Sequence, residues 1–336
     1  MKNISNKSAT CLQSYTTSIQ ITLITVESLI TFFSFAGNIL VVVAVSRKKK
    51  LRTKVNLFIT SMAVSDLLVP VCYLPSRINT LVNRDPSSWV SGPFGEFSCK
   101  FVPYIVEVSI AVSILTMITI AVERLYHVLC PFRALQVKDK VRRRTIAVIW
   151  AFSFAIQGYH FDFRGLNSEG KCVKLWAPGR FKTAITLILV SQIAIPFMLL
   201  VVFSSVTIFI LLRNKMKNFL PYQEISRRGK RNKRISFMLI IVTTVYLAAW
   251  MPFVVYNIRS LYGDKEKDCA VDAAMVAVVF SYTAINPVIY FVFLKSFRKE
   301  LKEMLCPTFK DSRKPKQNHK PLISTAPPLV YKESSV

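Results

Sequence analysis

Glycine is scarce in this chain, with nine residues in 336, and acidic side chains are few, 18 against 45 basic ones. Charge of either sign is missing altogether from some stretches. Thr183 to Leu212 carries none for 30 residues, and Ile235 to Tyr256 carries none for 22. About 20 apolar residues suffice to cross the hydrocarbon core of a bilayer. A soluble domain would have nothing with which to cover several such runs, so lipid is the expected solvent. Other absences narrow the class further. No span carries a metal-ligand cluster or a nucleophile–base set, which argues against an enzyme. Neither a second repeat nor a filter-like segment is present, and discontinuous span pairs are missing, which argues against a channel or transporter. Met1 to Gln20 is polar and lacks the apolar core of a cleavable leader, so the first apolar segment is expected to start insertion.

Seven apolar segments are present, at roughly 20–45, 54–79, 97–128, 144–161, 182–212, 233–258 and 271–294. The fourth has the shortest charge-free core and contains Gln157 and Gly158. The formal charge of +27 invites a nucleic-acid reading, but its distribution argues otherwise. Residues 47–54, 133–144 and 213–234 hold 21 basic and 2 acidic residues, and the segments on the other side hold 13 and 8. Basic loops stay cytoplasmic, which puts the N-terminus outside. The tail from Lys295 adds ten basic residues on the inner side, where anionic lipid attracts them. The charge therefore reports topology, and no nucleic-acid partner is expected. The sequons at Asn3 and Asn6 fall outside, as glycosylation requires.

The expected organisation is an outer N-terminus (1–19), an all-α seven-transmembrane helix bundle (20–294), an amphipathic membrane-surface helix (295–306) and a disordered inner tail (307–336). Phe293, Leu294, Phe297, Leu301, Met304 and Leu305 recur at helical spacing among charges, which suits a helix lying on the membrane. Beyond Pro307 the chain is rich in Pro, Ser and Lys.

Ionisable groups at membrane depth are expensive and usually functional. Glu27, Asp66, Glu107, Glu123 and Arg124 are the ones that remain once loops and tail are set aside. They fall among motifs in a fixed order: Gly37-Asn38 in span one, Asn56 and Asp66 in span two, and Glu123-Arg124 ending span three. Trp150 follows in span four, Pro196 in span five, Trp250-Met251-Pro252 in span six and Asn286-Pro287-Val288-Ile289-Tyr290 in span seven. In that order the chain resembles the rhodopsin-like G-protein-coupled receptors, most closely the neuropeptide-receptor group, over about residues 20 to 306.

The resemblance implies roles for these residues. Trp250 would lie under a ligand cavity and transmit agonist binding. Pro252 and Pro287 would weaken their helices at the hinges. Arg124, with Glu123, Asn286 and Tyr290, would open and line the contact with a heterotrimeric G protein. Asp66, Ser113, Asn38 and Asn286 match the family's polar core and sodium site. Departures qualify this. Tyr282 stands where a small polar residue is usual, which argues against sodium, and no other cofactor is expected. Leu125 replaces a tyrosine, Ser204 stands where span five usually has one, and Tyr246 stands where phenylalanine is usual. Arg231 to Arg234 offers no acid at the start of span six, so a lock to Arg124 would lack its partner.

The family's loop-to-helix disulfide corresponds to Cys99 and Cys172. Cys11 and Cys269 also lie outside, where they form either a second bridge or two free thiols. Cys306, one turn past the surface helix beside basic residues, is a candidate palmitoylation site.

The family's retinal pigments need a lysine in span seven. Phe280 stands at that position and no lysine occurs between Lys267 and Lys295, so that chemistry is excluded. Val106 stands where amine receptors carry an aspartate, which argues against a monoamine. Glu107 and Glu27 are either partners for a cationic ligand group or partners for an arginine such as Arg77. Phe161, Phe163 and Val173 alternate with polar residues around Cys172, as in a hairpin. Trp89 with Phe94-Gly95 resembles the aromatic–Gly motif of peptide receptors. A short peptide is the expected ligand and a small non-peptide molecule the alternative. Ser334 and Val336 end the chain as a PDZ ligand does. Ser324, Thr325, Ser334 and Ser335 are candidate sites for a receptor kinase and hence for arrestin.

Overall fold

Without water, an apolar stretch can satisfy its backbone amides and carbonyls only by helix or closed barrel, and the chain takes the helical solution. The computed structural model describes residues 15–84, 92–130, 133, 137–167, 172–213, 222–263 and 268–305. Asn3, Asn6, Cys11, Trp89, Cys306, Ser324, Thr325, Ser334, Ser335 and Val336 lie outside the described residues.

Span one is α1 (Thr17–Arg47), whose N-cap Thr16 accepts from the Ile19 amide. Span two is α2 (Lys54–Asp66) and α3 (Leu74–Asn83), joined through a wider π turn at Val69–Tyr73. Span three is α4 (Gly92–Leu129) and span four begins as α5 (Asp139–Ile156). A single 3-10 turn (Gln157–Tyr159) and α6 (His160–Phe163) carry span four outward. Strands β1 (Arg164–Leu166) and β2 (Cys172–Lys174) pair antiparallel, Gly165 opposite Val173. Span five is α7 (Pro178–Leu189), a π turn at Val190–Ala194 and α8 (Ile195–Arg213). Span six is α9 (Tyr222–Tyr262), span seven is α10 (Cys269–Phe293), and α11 (Lys295–Leu305) follows.

Six of the spans are long and apolar enough to cross a membrane by composition alone. The fourth falls short because its first two turns carry Asp139, Lys140, Arg142, Arg143 and Arg144. Thr145 to Phe163 nonetheless reaches roughly 28 Å at helical rise, close to the ~30 Å of a hydrocarbon core. The expected surface helix is present as α11. It is tied to span one by Lys48, whose ammonium lies 3.0 Å from Glu300 and 3.1 Å from Glu303. Phe297 is fully buried beneath it and meets Phe291 edge to face.

Proline shapes the spans, and the bundle repairs what proline breaks. Pro287 has no amide to give the Thr283 carbonyl one turn earlier. Asn38 of span one supplies that donor, its Nδ2 lying 3.0 Å from the Thr283 oxygen and 2.9 Å from the Ser34 oxygen. Gly37 makes the approach feasible, because a Cβ there would stand 2.9 Å from the Pro287 ring. The adjacent Gly37-Asn38 pair of the sequence is thus a single device for seating a proline-containing helix.

Candidate functional site

Asp66, deep in span two, is fully buried. Ser113 of span three donates to its Oδ1 at 2.8 Å and Asn286 of span seven to its Oδ2 at 3.0 Å. Ser65 and Ser113 hydroxyls lie 3.1 Å apart, and Ser109 donates to the Ser65 carbonyl at 2.7 Å. One carboxyl therefore holds three spans through neutral donors. Asn56 and Trp150 also repeat the pattern of cross-links: Asn56 donates to the Leu51 carbonyl at 2.7 Å, and the Trp150 indole to Ser61 at 3.0 Å.

Just outward of Asp66 the two tyrosines that depart from the family pattern come together. The Tyr246 and Tyr282 rings lie 5.0 Å apart, and both are buried. Tyr246 also stacks on Trp250 at 5.6 Å and meets Phe197 at 5.1 Å, while Phe253 closes edge-on against Trp250. The two departures are one packing feature, an aromatic column joining spans five, six and seven. The large ring at 282 fills the space beside Asp66 that a small polar side chain would leave open. The donor set there, one hydroxyl on one carboxyl oxygen and one amide on the other, gives each oxygen a hydrogen bond without a cation, and fits sodium poorly.

At the inner end of span three Glu123 is shared. Arg124, 4% exposed, donates to its Oε2 at 3.2 Å. Arg142 of span four, 3% exposed, donates from Nε to Oε1 at 2.7 Å, and from Nη1 to the Val137 carbonyl at 2.9 Å and to Asp139 at 3.4 Å. His127 stands 3.8 Å from the same carboxylate. Sequence reasoning missed Arg142. It sits in a run of three arginines, and only its position on the inward face of α5 distinguishes it from its solvated neighbours. Tyr290 is buried beside Met62, with its hydroxyl 3.9 Å from the sulfur.

A cavity of about 520 Å3 opens at this end of the bundle, lined among others by Arg52, Lys54, Arg124, His127, Arg234 and Lys295. It brings together the ends of spans two, three, six and seven.

The outer half is arranged differently. Glu27 is fully buried and its Oε1 takes the Arg77 Nε at 3.3 Å. Of the two readings open to Glu27, the arginine partner is the one observed. Val106, Trp250 and Phe280 are buried, with the Phe280 ring 4.6 Å from Tyr73. Glu107 is half-buried within the field of Arg164. Beside it, Gln157 donates to Gln192 at 2.7 Å, joining spans four and five, a pair the sequence gave no reason to link.

The expected hairpin is present but shorter than the expected span, since His160–Phe163 is helical. Cys99 is bonded to Cys172, with Cα atoms 5.7 Å apart, which pins β2 to the outer end of span three. Cys269 is also disulfide-bonded. Cys72 and Cys130 are free thiols. Phe163 packs on Trp176 and Phe181, Arg180 lies over Trp176 and Lys174 over Phe181, each cation 4.5 Å from its ring.

Comparison with known proteins agrees with this geometry. The chain is 28% identical over 316 residues to the pyroglutamylated RF-amide peptide receptor of Mus musculus, covering 86% of this chain and 72% of that one. It is 29% identical over 284 residues to the growth hormone secretagogue receptor type 1 of Homo sapiens, covering 78% and 75%. With neuropeptide FF receptor 1 of Rattus norvegicus the identity is 28% over 298 residues, covering 81% and 67%. Residues 37–290 match the model of the family described as 7 transmembrane receptor (rhodopsin family), a stretch that takes in every motif from Gly37 to Tyr290. The chain is a multi-pass membrane receptor and not an enzyme, and it belongs to the rhodopsin family of seven-transmembrane receptors.

Proposed function

We propose that this receptor sits in the plasma membrane with its N-terminus outside, binds a short extracellular peptide and promotes nucleotide exchange on a heterotrimeric G protein. The observation that carries the coupling half is Arg124, buried against Glu123 at the wall of the inner cavity. A peptide ligand is supported by the printed names of the relatives and by the hairpin that Cys99–Cys172 holds over the bundle. Glu107, beneath that hairpin, is the acid placed to pair a cationic ligand group. Trp250, Phe280 and Val106 form the apolar floor, and the proline-weakened spans six and seven carry the change inward. Asp66 works with Ser113 and Asn286 as an interspan hydrogen-bond centre rather than as a sodium site. Arg231 to Arg234, at the start of span six, contains no acid, so agonist-free signalling above that of mock-transfected cells is part of the proposal. The tail is proposed to serve a receptor kinase, arrestin and, through Ser334 and Val336, a PDZ domain, with Cys306 as its lipid anchor.

The test is a screen of short neuropeptides beside amines, lipids and nucleosides in cells carrying G-protein dissociation sensors, with Arg124→Ala as control. A saturable peptide response that the control loses supports both halves. A response to a small molecule alone overturns the ligand class. Silence across all G-protein subtypes, with surface expression verified, overturns coupling.

A further inference from the structure

The chain has seven cysteines, and five of them have a settled state. Cys99 is bonded to Cys172, Cys72 and Cys130 are free, and Cys269 is held in a further disulfide. Its partner can only be Cys11 or Cys306, the two that lie outside the described residues. Cys306 directly follows α11, beyond the inner end of span seven. Span seven is 25 residues long, which sets roughly 37 Å of helix between its two ends. Bonded cysteines keep their Cα atoms within about 4.4–6.8 Å. Elimination leaves Cys11.

The described residues that follow Cys11 lead to the same place. Tyr15 is four positions on, a reach of at most about 14 Å, and its hydroxyl donates to the Cys269 carbonyl at 2.8 Å. The Tyr15 ring is buried in a small apolar cluster with Leu23 of span one, Leu81 of span two and Ala273 of span seven. Gln20 then ties span one to the end of α3. It donates to the Leu81 and Val82 carbonyls at 2.8 and 3.2 Å and accepts from Arg84 at 3.0 and 2.7 Å. Those carbonyls belong to a last helical turn, where intrahelical donors run out. One turn deeper than Leu23 lies Glu27, paired with Arg77, and the field of that pair reaches Tyr15.

We propose that Cys269 is bonded to Cys11, and that this bridge and the Tyr15 hydroxyl latch the N-terminal segment across the outer ends of spans one, two and seven. The latch closes that side of the outer face over Glu27 and Arg77. The disulfide of the hairpin fastens span three, and this one fastens span seven, so the two hold different parts of the face. Forming the bridge takes two protons and two electrons from the two thiols, and a disulfide oxidant of the secretory compartment accepts them. The oxidising side rests on the orientation proposed above, whereas the readouts below need neither a ligand nor coupling.

The pairing is tested by mapping the purified full chain without reductant, its free thiols blocked with N-ethylmaleimide before digestion and mass spectrometry. A peptide pair joining Cys11 to Cys269 is expected. Alkylation of either cysteine, or a bridge from Cys269 to any other, overturns it. Hydrogen exchange tests the latch. In Cys11→Ser/Cys269→Ser, which leaves no odd thiol, residues 17–23 and 77–83 should exchange at least tenfold faster, while residues 139–156 of span four keep their rates. Tyr15→Phe should speed the same two segments by a smaller factor. If the double variant fails to fold, mild reduction of the purified chain, with Cys99–Cys172 shown intact by the same mapping, supplies the comparison. Unchanged exchange in the two outer segments, or equal acceleration throughout the chain, overturns the latch.

Discussion

The inner and outer halves of the bundle handle buried polarity in opposite ways. Inward, polar side chains are joined into chains that cross several spans: Asn38 to Thr283, Asp66 to Ser113 and Asn286, Glu123 to both Arg124 and Arg142. Outward, buried charge is handled pair by pair, as in Glu27 with Arg77, under a hairpin held by a disulfide. The inner network is tied to backbone features of this chain, the proline at 287 and the ends of its helices. The outer pairs have no such obligation and can vary with the ligand. The comparison teaches that a change at the charged inner end, Glu123 with Arg124, should fail through loss of coupling, and that a change at the outer pairs should fail through loss of folding or binding.

The largest effect that would break this division is at Arg124. Arg124→Ala should abolish ligand-driven nucleotide exchange in a purified reconstitution, while ligand affinity changes by less than about threefold. A parallel loss of binding would mean that the halves are not separable. Next comes Arg77. Removing it strands the Glu27 carboxylate in a site with no solvent, and stranding one partner of a buried pair typically costs about 3–5 kcal/mol. Arg77→Ala should therefore lower the melting temperature and the surface expression severely, and Arg77→Leu combined with Glu27→Leu should recover most of the loss. If Arg77→Ala melts normally but loses ligand, the pair belongs to the binding site instead.

Asn38→Ala should cost about 1–3 kcal/mol, the range for leaving a buried acceptor without its donor, because the Thr283 carbonyl already lacks the Pro287 amide. Gly37→Ala should act in the same direction, as its Cβ meets the Pro287 ring at 2.9 Å. A melt of Asn38→Ala combined with Pro287→Ala sharpens the point: restoring the amide at 287 should shrink the Asn38→Ala penalty, and an additive result would sink the repair argument.

Much of the inner half was legible because its residues answer constraints that the sequence displays. Seven charge-poor runs, Pro252 and Pro287 mid-helix, and Asp66 deep in span two each leave one sensible arrangement. Tyr246 and Tyr282 were visible as departures, but not as neighbours, since nothing local links side chains 36 positions apart. Arg142 was hidden by its company. In Arg142-Arg143-Arg144 the helical angle of the first residue decides which guanidinium is buried, and a shift of one residue in the start of α5 would choose another. The fourth span began at Asp139 rather than near 144 for the same reason, because a charged first turn can be helical without being in lipid. The Gln157–Gln192 pair depends on the crossing of spans four and five, which neither segment encodes by itself.

Arg142 supplies a smaller, sharper test of the inner network. Glu123 divides its carboxylate between Arg142 on Oε1 and Arg124 on Oε2. Arg142→Gln removes the charge and most of the donors while leaving a polar side chain, so the carboxylate should hold Arg124 more firmly. Agonist-free exchange should fall about two- to threefold, with ligand affinity unchanged; a rise would mean that Arg142 restrains the resting state.

The smallest expected effect is none at all, and it concerns sodium at Asp66. Asp66 already receives Ser113 and Asn286, and Tyr282 fills the place of a small polar ligand. A sodium ion would have to turn away the hydrogens that Ser113 and Asn286 now direct at the carboxyl, in space that the Tyr282 ring fills. Replacing sodium by potassium or N-methylglucamine at constant ionic strength should therefore move agonist affinity by less than twofold. The variant Tyr282→Ser should open the space and leave a small hydroxyl facing it, so that sodium then lowers agonist affinity measurably. Sodium sensitivity in the unmodified chain would show that the aromatic column yields to the ion, and that the Asp66 centre is not complete in itself.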